Sequence, residues 1–106
     1  MSIPDLQGLL ETAQRIQSEV ARIREELGSK TVEGETGGGL CRCTVNGRGE
    51  VLSLTIDPSI AGDKKMIEDL AVGAINIALA RAREMADAEL SRATGGMPLP
   101  PGLFGG

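Results

Sequence analysis

The amino-acid sequence predicts an α+β fold in which two long helices flank a three-stranded antiparallel meander, in the order α-β-β-β-α. Apolar residues recur with helical spacing at both ends of the chain, and between residues 30 and 57 they recur at every second position. Glycine or proline marks the boundaries between these regions. At 106 residues the chain is long enough for one domain, which we place at residues 1–94, followed by a Pro- and Gly-rich flexible tail at residues 95–106.

The first predicted helix runs from Pro4 to Gly28. Its apolar residues are three and four apart over three heptads, which is the spacing of a coiled-coil seam: Leu6, Leu9, Ala13, Ile16, Val20, Ile23 and Leu27. Pro4 suits a first helical position, and Gly28 is expected to end the helix in a left-handed conformation. A seam this narrow needs a partner, which is either the chain's own second helix or another copy of the chain.

Three strands are predicted next, at residues 30–35, 40–45 and 50–57. The apolar face of the sheet is expected to use alternate residues of the last two strands: Cys41, Cys43, Val45, Leu52, Leu54 and Ile56. Asn46-Gly47 is a strong signal for a tight hairpin turn, because both residues tolerate a positive φ. The two cysteines form a CxC pair that suits either redox or metal chemistry or a core position, and we interpret them as small core residues.

Asp63 is expected to cap the second helix, which continues to about Thr94. Its predicted buried stripe contains many small residues: Ile67, Leu70, Ala71, Ala74, Ile75, Ala78, Ala82, Met85 or Ala86, and Leu90. Another element must therefore approach this helix closely. Helices of about 24 and about 30 residues are roughly 36 and 45 Å long, whereas a seven-residue strand covers roughly 24 Å. Both helices must overhang the sheet, which predicts self-association, as a symmetric dimer.

Composition excludes several classes of function. The chain has no His, Trp or Tyr and a single Phe, which excludes imidazole general-base catalysis, a His-containing zinc site and an aromatic cage. Two cysteines cannot supply four thiolate ligands. We therefore expect a binding or assembly module and not an enzyme, with no catalytic residue, metal, cofactor or small-molecule substrate. Because no secretory signal or membrane-spanning segment is recognisable, we expect a soluble cytoplasmic protein without a membrane partner.

All basic residues in the bodies of the two helices are arginines, which stay charged and can bind phosphate with two hydrogen bonds. The candidate phosphate-binding residues are Arg15, Arg22, Arg24, Arg81, Arg83 and Arg92. The alternative interpretation is that they are solvated charges paired with glutamates: Glu11, Glu19, Glu84 and Glu89. With a net charge of −4, any binding of nucleic acid must depend on local arginine patches and must weaken steeply with salt.

The chain also carries an ordered series of short motifs, none of them specific alone: TVEG at 31–34, GL at 39–40, VNG at 45–47, IDPS at 56–59, MIEDL at 66–70 and AIN at 74–76. Together with the tail from GGM at 95–97 to PPG at 100–102, this series resembles the YbaB/EbfC family of bacterial nucleoid-associated proteins. The resemblance covers roughly residues 5 to 103 in order and spacing. The sequence departs from the family in its Leu/Ile-rich, acidic first helix and in Cys41 and Cys43, where branched aliphatic residues are usual.

The resemblance implies a homodimer with intertwined sheets, from which paired helices project like the arms of tweezers. It also implies binding of double-stranded DNA with little sequence preference, and a role at the nucleoid in its organisation or in transcription. The lack of aromatic rings in the predicted domain at residues 1–94 agrees with a duplex target, because single strands are usually bound by stacking bases on such rings. The family's motifs include no basic residue that contacts DNA. The six arginines are therefore chosen only for their positions on the two helices. The alternative function is a protein-interaction or scaffold module that recruits a partner through the N-terminal heptad helix without physiological DNA contact.

Overall fold

The computed structural model describes residues 5–93 and 95, and it confirms the predicted α-β-β-β-α order. The elements are α1 (Asp5–Leu27), β1 (Thr31–Thr36), β2 (Cys41–Asn46), β3 (Val51–Ile56) and α2 (Lys64–Ala93). The strands form one antiparallel sheet in the order β1-β2-β3. Each strand lies within one or two residues of its predicted bounds. Pro4, Thr94 and residues 96–106 of the predicted tail lie outside the described part of the chain.

The core lies between α2 and the first two strands. Its fully buried side chains are small or medium in size: Cys41, Cys43, Val45, Ala74, Ala78 and Ala82. The cysteines are unpaired thiols with no exposed surface, which confirms their interpretation as core residues. Burial raises the pKa of the Cys43 thiol, with the neighbouring Cys41 adding to the effect. The alanine stripe allows α2 to lie almost directly on the backbone of β1, the close approach that its composition predicts.

Gly34 of β1 is the point of closest approach to α2. A Cβ built on this glycine would lie 2.5 Å from both the carbonyl oxygen of Ala74 and the amide nitrogen of Ala78. The hydroxyl of Thr36 donates a hydrogen bond of 2.6 Å to the carbonyl of Leu70, one helical turn away. Backbone contact of this kind fixes the orientation of α2 across the sheet.

The third strand is only partly covered. α2 packs across β1 and β2 and contacts β3 at few places, so Val51, Leu52 and Leu54 are 49%, 54% and 40% exposed. A bulge after Thr44 places Val45 opposite Val51. Leu54 and Ile56 lie opposite Cys43 and Cys41 and share their face of the sheet, as predicted, and Ile56 packs against the core. The prediction is wrong for Leu52, because the bulge places Val51 and not Leu52 opposite Val45.

Two predicted turn conformations are also wrong. Gly28 follows α1 without a positive φ, because the chain leaves the helix through i→i−3 hydrogen bonds made by residues 28–30. The hairpin predicted at Asn46-Gly47 is confirmed, but neither residue has a positive φ. Asn46 ends β2, and the left-handed residue of this hairpin is Gly49, with a φ of 82°. Gly95, just after the end of α2, has a left-handed conformation, with a φ of 65°.

Both helices overhang the sheet as predicted, and the molecule is elongated, with extents of 72 × 20 × 18 Å. Only the C-terminal end of α1 packs on α2, where Ile23 and Leu27 meet Leu90. Residues 5–20 of α1, which we call the arm, carry the rest of the heptad seam. Leu6 and Leu9 in the arm are 58% and 65% exposed. The chain's own second helix therefore covers only the last heptad of the seam.

The start of α2 is fixed by its predicted cap. Asp63 accepts a hydrogen bond of 3.1 Å from the amide of Met66. Just before it, Asp57 caps the single 3₁₀ turn Pro58–Ile60 by accepting from the amide of Ser59, and this hydrogen bond lowers the pKa of Asp57. Neither of the two helices described has the length and apolar character that a bilayer crossing requires.

Candidate nucleic-acid interface

The six predicted arginines lie on two different helices and do not form one cluster. Three are on α1 and three are on α2, and all six are exposed. The side chains divide into those that already bond to protein acceptors and those that do not. The arginines without a protein acceptor are available to an external anion, and the others are not unless they first break a bond.

Arg22 and Arg92 belong to a network of charges between α1 and α2. Arg22 donates to Glu19 at 2.7 Å and to Glu26 at 2.6 Å, and Arg92 donates to Glu89. A groove of about 370 Å³ brings these two arginines together with the three glutamates, so carboxylates outnumber guanidinium groups there. The predicted alternative, pairing of arginines with Glu19 and Glu89, is confirmed for these two residues.

The glutamates of this network are held in their charged form. The hydrogen bond from Arg22 lowers the pKa of Glu19. The hydrogen bond from Lys30, at 2.9 Å, lowers the pKa of Glu89, and the nearby charge of Arg92 acts in the same direction. Glu89 is the least exposed of the ion-paired carboxylates, with 18% of its side chain exposed.

Arg81 has a structural bond. Its Nη1 donates to the carbonyl of Glu33 in β1 at 2.7 Å, which ties α2 to the strand beneath it. Arg15, Arg24 and Arg83 differ from the other three. Within residues 5–93 and 95, the side chains of these three form neither a hydrogen bond nor an ion pair. These three guanidinium groups are open to solvent.

Arg48, in the loop between β2 and β3, was not among the predicted binding residues. Its Nε donates to the carbonyl of Arg24 at 2.8 Å, across the end of α1. Both arginines line a groove of about 620 Å³ whose other walls come from α1: Ile16, Gln17, Val20, Ala21 and Glu25. In the sequence, Arg48 looks like an ordinary polar loop residue, because no short-range pattern relates it to a residue 24 positions earlier.

The loop that carries Arg48 is rigid at its base. Asn46 is 4% exposed, and its side-chain oxygen accepts hydrogen bonds of 3.0 Å from the amides of Arg48 and Glu50. Its side-chain nitrogen donates to the carbonyl of Gly28 and to the carboxylate of Glu50. Asn46 thus joins the hairpin to the end of α1 and holds the backbone of Arg48 in place.

The rest of the described chain offers little to catalysis. No group of three or more His, Cys, Asp or Glu residues within the described ranges is arranged to hold a metal ion. The glycine turn at residues 37–39, where all three φ values are positive, precedes a strand and provides no helix N-terminus for a phosphate. What the structure offers is exposed arginine and an exposed apolar seam.

Comparison with known proteins agrees with this description. The model of the YbaB/EbfC DNA-binding family matches residues 1–97. The nucleoid-associated protein of Anaeromyxobacter sp. (strain Fw109-5) is 42% identical over 98 residues, which are 91% of this chain and 95% of that protein. The nucleoid-associated protein of Caldanaerobacter subterraneus subsp. tengcongensis is 40% identical over 102 residues, covering 94% of this chain and 91% of the other.

A solved structure shares the fold. The crystal structure of an uncharacterized protein from Helicobacter pylori matches with a TM-score of 0.73 and 25% sequence identity, over 90% of this chain and 99% of that one. The family model spans nearly the whole chain, and the two relatives match over at least nine-tenths of both sequences. The chain therefore belongs to the YbaB/EbfC DNA-binding family, which is not a family of enzymes.

Proposed function

We propose that this protein acts as a homodimer that binds double-stranded DNA with little sequence preference, at the nucleoid in the cytoplasm. It would thereby affect nucleoid organisation or gene expression. Family membership supports DNA as the partner, and the names of the relatives support the nucleoid as the location. The observation that carries the dimer is the arm, whose apolar seam projects uncovered from the sheet.

Phosphate contacts explain how a duplex could be bound without reading its sequence. Contacts from arginine to backbone phosphates are independent of sequence and supply most of the affinity of non-specific binding. We propose all six helical arginines as contacts and expect unequal roles. Arg15, Arg24 and Arg83 have no ion pair within the described residues to break. Arg22, Arg81 and Arg92 would first have to give up bonds to glutamate or backbone oxygens.

The test is binding of a mixed-sequence duplex at about 50 and about 200 mM salt. The double variant R15A/R83A should bind at least about tenfold more weakly at the lower salt concentration. It should also show a smaller salt dependence, because each lost phosphate contact lowers the slope by about one. The matched control is R42A/K65A, which removes the same charge from residues that pair with Glu35 and Asp69 away from the arm. Equal binding by both double variants would contradict the proposed surface.

A second function has one observation in its favour. The groove around Arg22 and Arg92 contains more acids than bases, and the net charge is −4, so a protein partner on α1 would meet less repulsion than DNA. This scaffold function predicts no binding of the duplex by the parent protein even at about 50 mM salt. The same titration therefore decides between the two functions.

A further inference from the structure

The hairpin loop between β2 and β3 holds one guanidinium group in a fixed position. The Nε of Arg48 donates to the carbonyl of Arg24, and the backbone of Arg48 is held by the side chain of Asn46. A surface arginine normally loses considerable rotamer freedom when it binds an anion. Here part of that loss has already occurred in the free protein, which leaves the two terminal Nη groups oriented and available.

Gly28 provides the space in which this guanidinium group lies. A Cβ on Gly28 would be 3.0 Å from Cζ, 3.1 Å from Nε and 3.3 Å from Nη2 of Arg48. The backbone of Gly28 does not have a positive φ, so its conformation does not require glycine. Glycine at this position instead leaves room for the side chain of Arg48.

A second guanidinium group shares the same surroundings. Arg24 and Arg48 both line the groove of about 620 Å³ and, on the other side, a small cavity of about 130 Å³. No carboxylate in the described parts of the chain forms an ion pair with either arginine. Glu25 is the one acid that lines the groove, so the local balance is two positive charges to one negative.

We propose that Arg24 and Arg48 together form a seat for one backbone phosphate of the DNA, at the junction of α1 with the hairpin loop. The proposal rests on the proposed function and adds to it a contact from outside the two helices. A phosphate group accepts from the paired Nη groups of an arginine in a planar, two-bond geometry. Because Arg48 bonds to the carbonyl of Arg24 through Nε, its two Nη groups remain free for the phosphate. The guanidinium group of Arg24 supplies the second positive charge.

A purely structural role for Arg48 makes a different prediction. The bond to the Arg24 carbonyl also satisfies an acceptor near the end of α1, where a positive charge is favourable. If this were the only role, removing Arg48 would lower the stability of the protein and leave the salt dependence of DNA binding unchanged. The salt slope is therefore the measurement that separates a phosphate contact from a helix cap.

The experiment measures the affinity for a mixed-sequence duplex by fluorescence anisotropy between about 50 and about 300 mM salt. R48A should lower the slope of log K against log salt by about one per subunit. G28A is a milder variant, because its methyl group shifts the guanidinium group by a few tenths of an ångström without changing any charge, and it should weaken binding less than R48A does. R42A, which removes an arginine paired with Glu35 at 3.5 Å, should keep the slope of the parent.

If the parent binds and R48A retains its slope, the seat is wrong and the proposed function stands. If the parent itself does not bind at about 50 mM salt, the proposed function is wrong and the seat falls with it. A measurement on the parent alone guards against misfolding of the variants. The NMR signals of the Arg48 guanidinium group should shift on addition of duplex, and those of Arg42 should not.

Discussion

Asn46 has more hydrogen bonds than any other side chain in the described part of the chain, and it is 4% exposed. Both protons of its amide are donated and both lone pairs of its oxygen are used. These bonds join the end of α1 to the hairpin loop. The sequence identifies Asn46 as a turn former, whereas the structure shows a buried polar residue that connects two elements.

We expect N46A to lower the free energy of unfolding by about 2–3 kcal/mol, because it removes four hydrogen bonds around a buried site. Urea denaturation at a fixed protein concentration measures this change. The matched control is N76A, at an exposed position on α2, where the change should stay within about 0.5 kcal/mol. Equal effects of the two substitutions would contradict the role assigned to Asn46.

The Lys30–Glu89 ion pair makes stability depend on pH. The pKa of Glu89 in the folded protein lies below its ordinary value of 4.5, so folding favours the charged form. This stabilisation is present above the unfolded pKa and is lost as pH falls through the folded one. Comparing the parent with E89Q by urea denaturation at several pH values should show a stability difference at neutral pH that shrinks below about pH 4.5.

E84Q is the control for this pH series. Glu84 is exposed on the same helix and has no ion pair within the described residues. We expect E84Q to follow the parent at every pH. A stability difference for E89Q that does not change between neutral and acid pH would mean that Glu89 contributes by packing and not by its charge.

At the level of single residues, the sequence predicts burial better than turn geometry. Cys41, Cys43 and Ala78 are core residues as predicted, because alternation and helical spacing carry this information. Gly28 and Gly47 are different. Gly28 leaves room for Arg48, and the amide of Gly47 donates to the carbonyls of Leu27 and Lys30. The roles of these glycines depend on neighbours that are distant in sequence. Local turn statistics therefore predict the wrong roles.

At the level of elements, the contact between α2 and β1 determines how the helix lies on the sheet. Gly34 and the alanines at 74 and 78 bring the two backbones so close that no side chain fits between them. The sequence predicts a close approach from the alanine stripe. It does not identify the strand that makes it, because this depends on how far α2 extends across the sheet.

We expect G34A to destabilise the protein by at least about 2 kcal/mol, because the new methyl group must push α2 away from β1. The matched control is G8A, in the arm, where a Cβ would have no atom within 4 Å. This control should be neutral or stabilise the helix by up to about 1 kcal/mol, since alanine is the better helix former. Urea denaturation compares the two, and a loss of the same size for both would contradict the close packing at Gly34.

For β3 the sequence predicts the bounds and the shared face of Leu54 and Ile56, but not how much of the strand is covered. Its alternation is regular in the sequence, yet a bulge shifts its pairing and α2 leaves it largely uncovered. Three large apolar residues of β3 are exposed in the single chain: Val51, Leu52 and Leu54. Their hydrophobicity, together with the seam of the arm, is unexplained by this chain alone and is explained if a second copy covers it.

For the whole molecule, the sequence predicts the overall shape better than the surroundings of individual arginines. The predicted lengths of the helices and strands indicate that both helices overhang the sheet, and the extents of 72 × 20 × 18 Å confirm it. The predicted arginines Arg22 and Arg92 lie instead among three glutamates. Helical spacing predicts the pairs Arg22–Glu19 and Arg92–Glu89, but it does not show that these pairs on two different helices line one groove.

The arm provides the test of the homodimer. In the single chain Leu9 is 65% and Leu10 is 58% exposed, so replacing either by glutamine removes little burial from an isolated subunit. Leu9 lies in the heptad seam and Leu10 does not. If a second copy covers the seam, L9Q loses up to about 1.5–3 kcal/mol from each subunit. Over two subunits this is up to about 3–6 kcal/mol, so the dimer dissociation constant should rise by up to about 10²–10⁴-fold, whereas L10Q should leave it close to that of the parent.

Light scattering over a range of micromolar concentrations measures this constant. The parent should have about twice the 11.0 kDa mass of one chain, and L9Q should dissociate at concentrations where L10Q remains paired. The comparison depends on neighbouring leucines of similar exposure, so a general loss of solubility or helicity would affect both variants. A parent that stays at 11.0 kDa would overturn the dimer. A symmetric dimer presents each arginine twice, and an acidic chain depends on this doubled number of arginines to bind DNA. A monomeric parent would therefore also weaken the case for DNA binding.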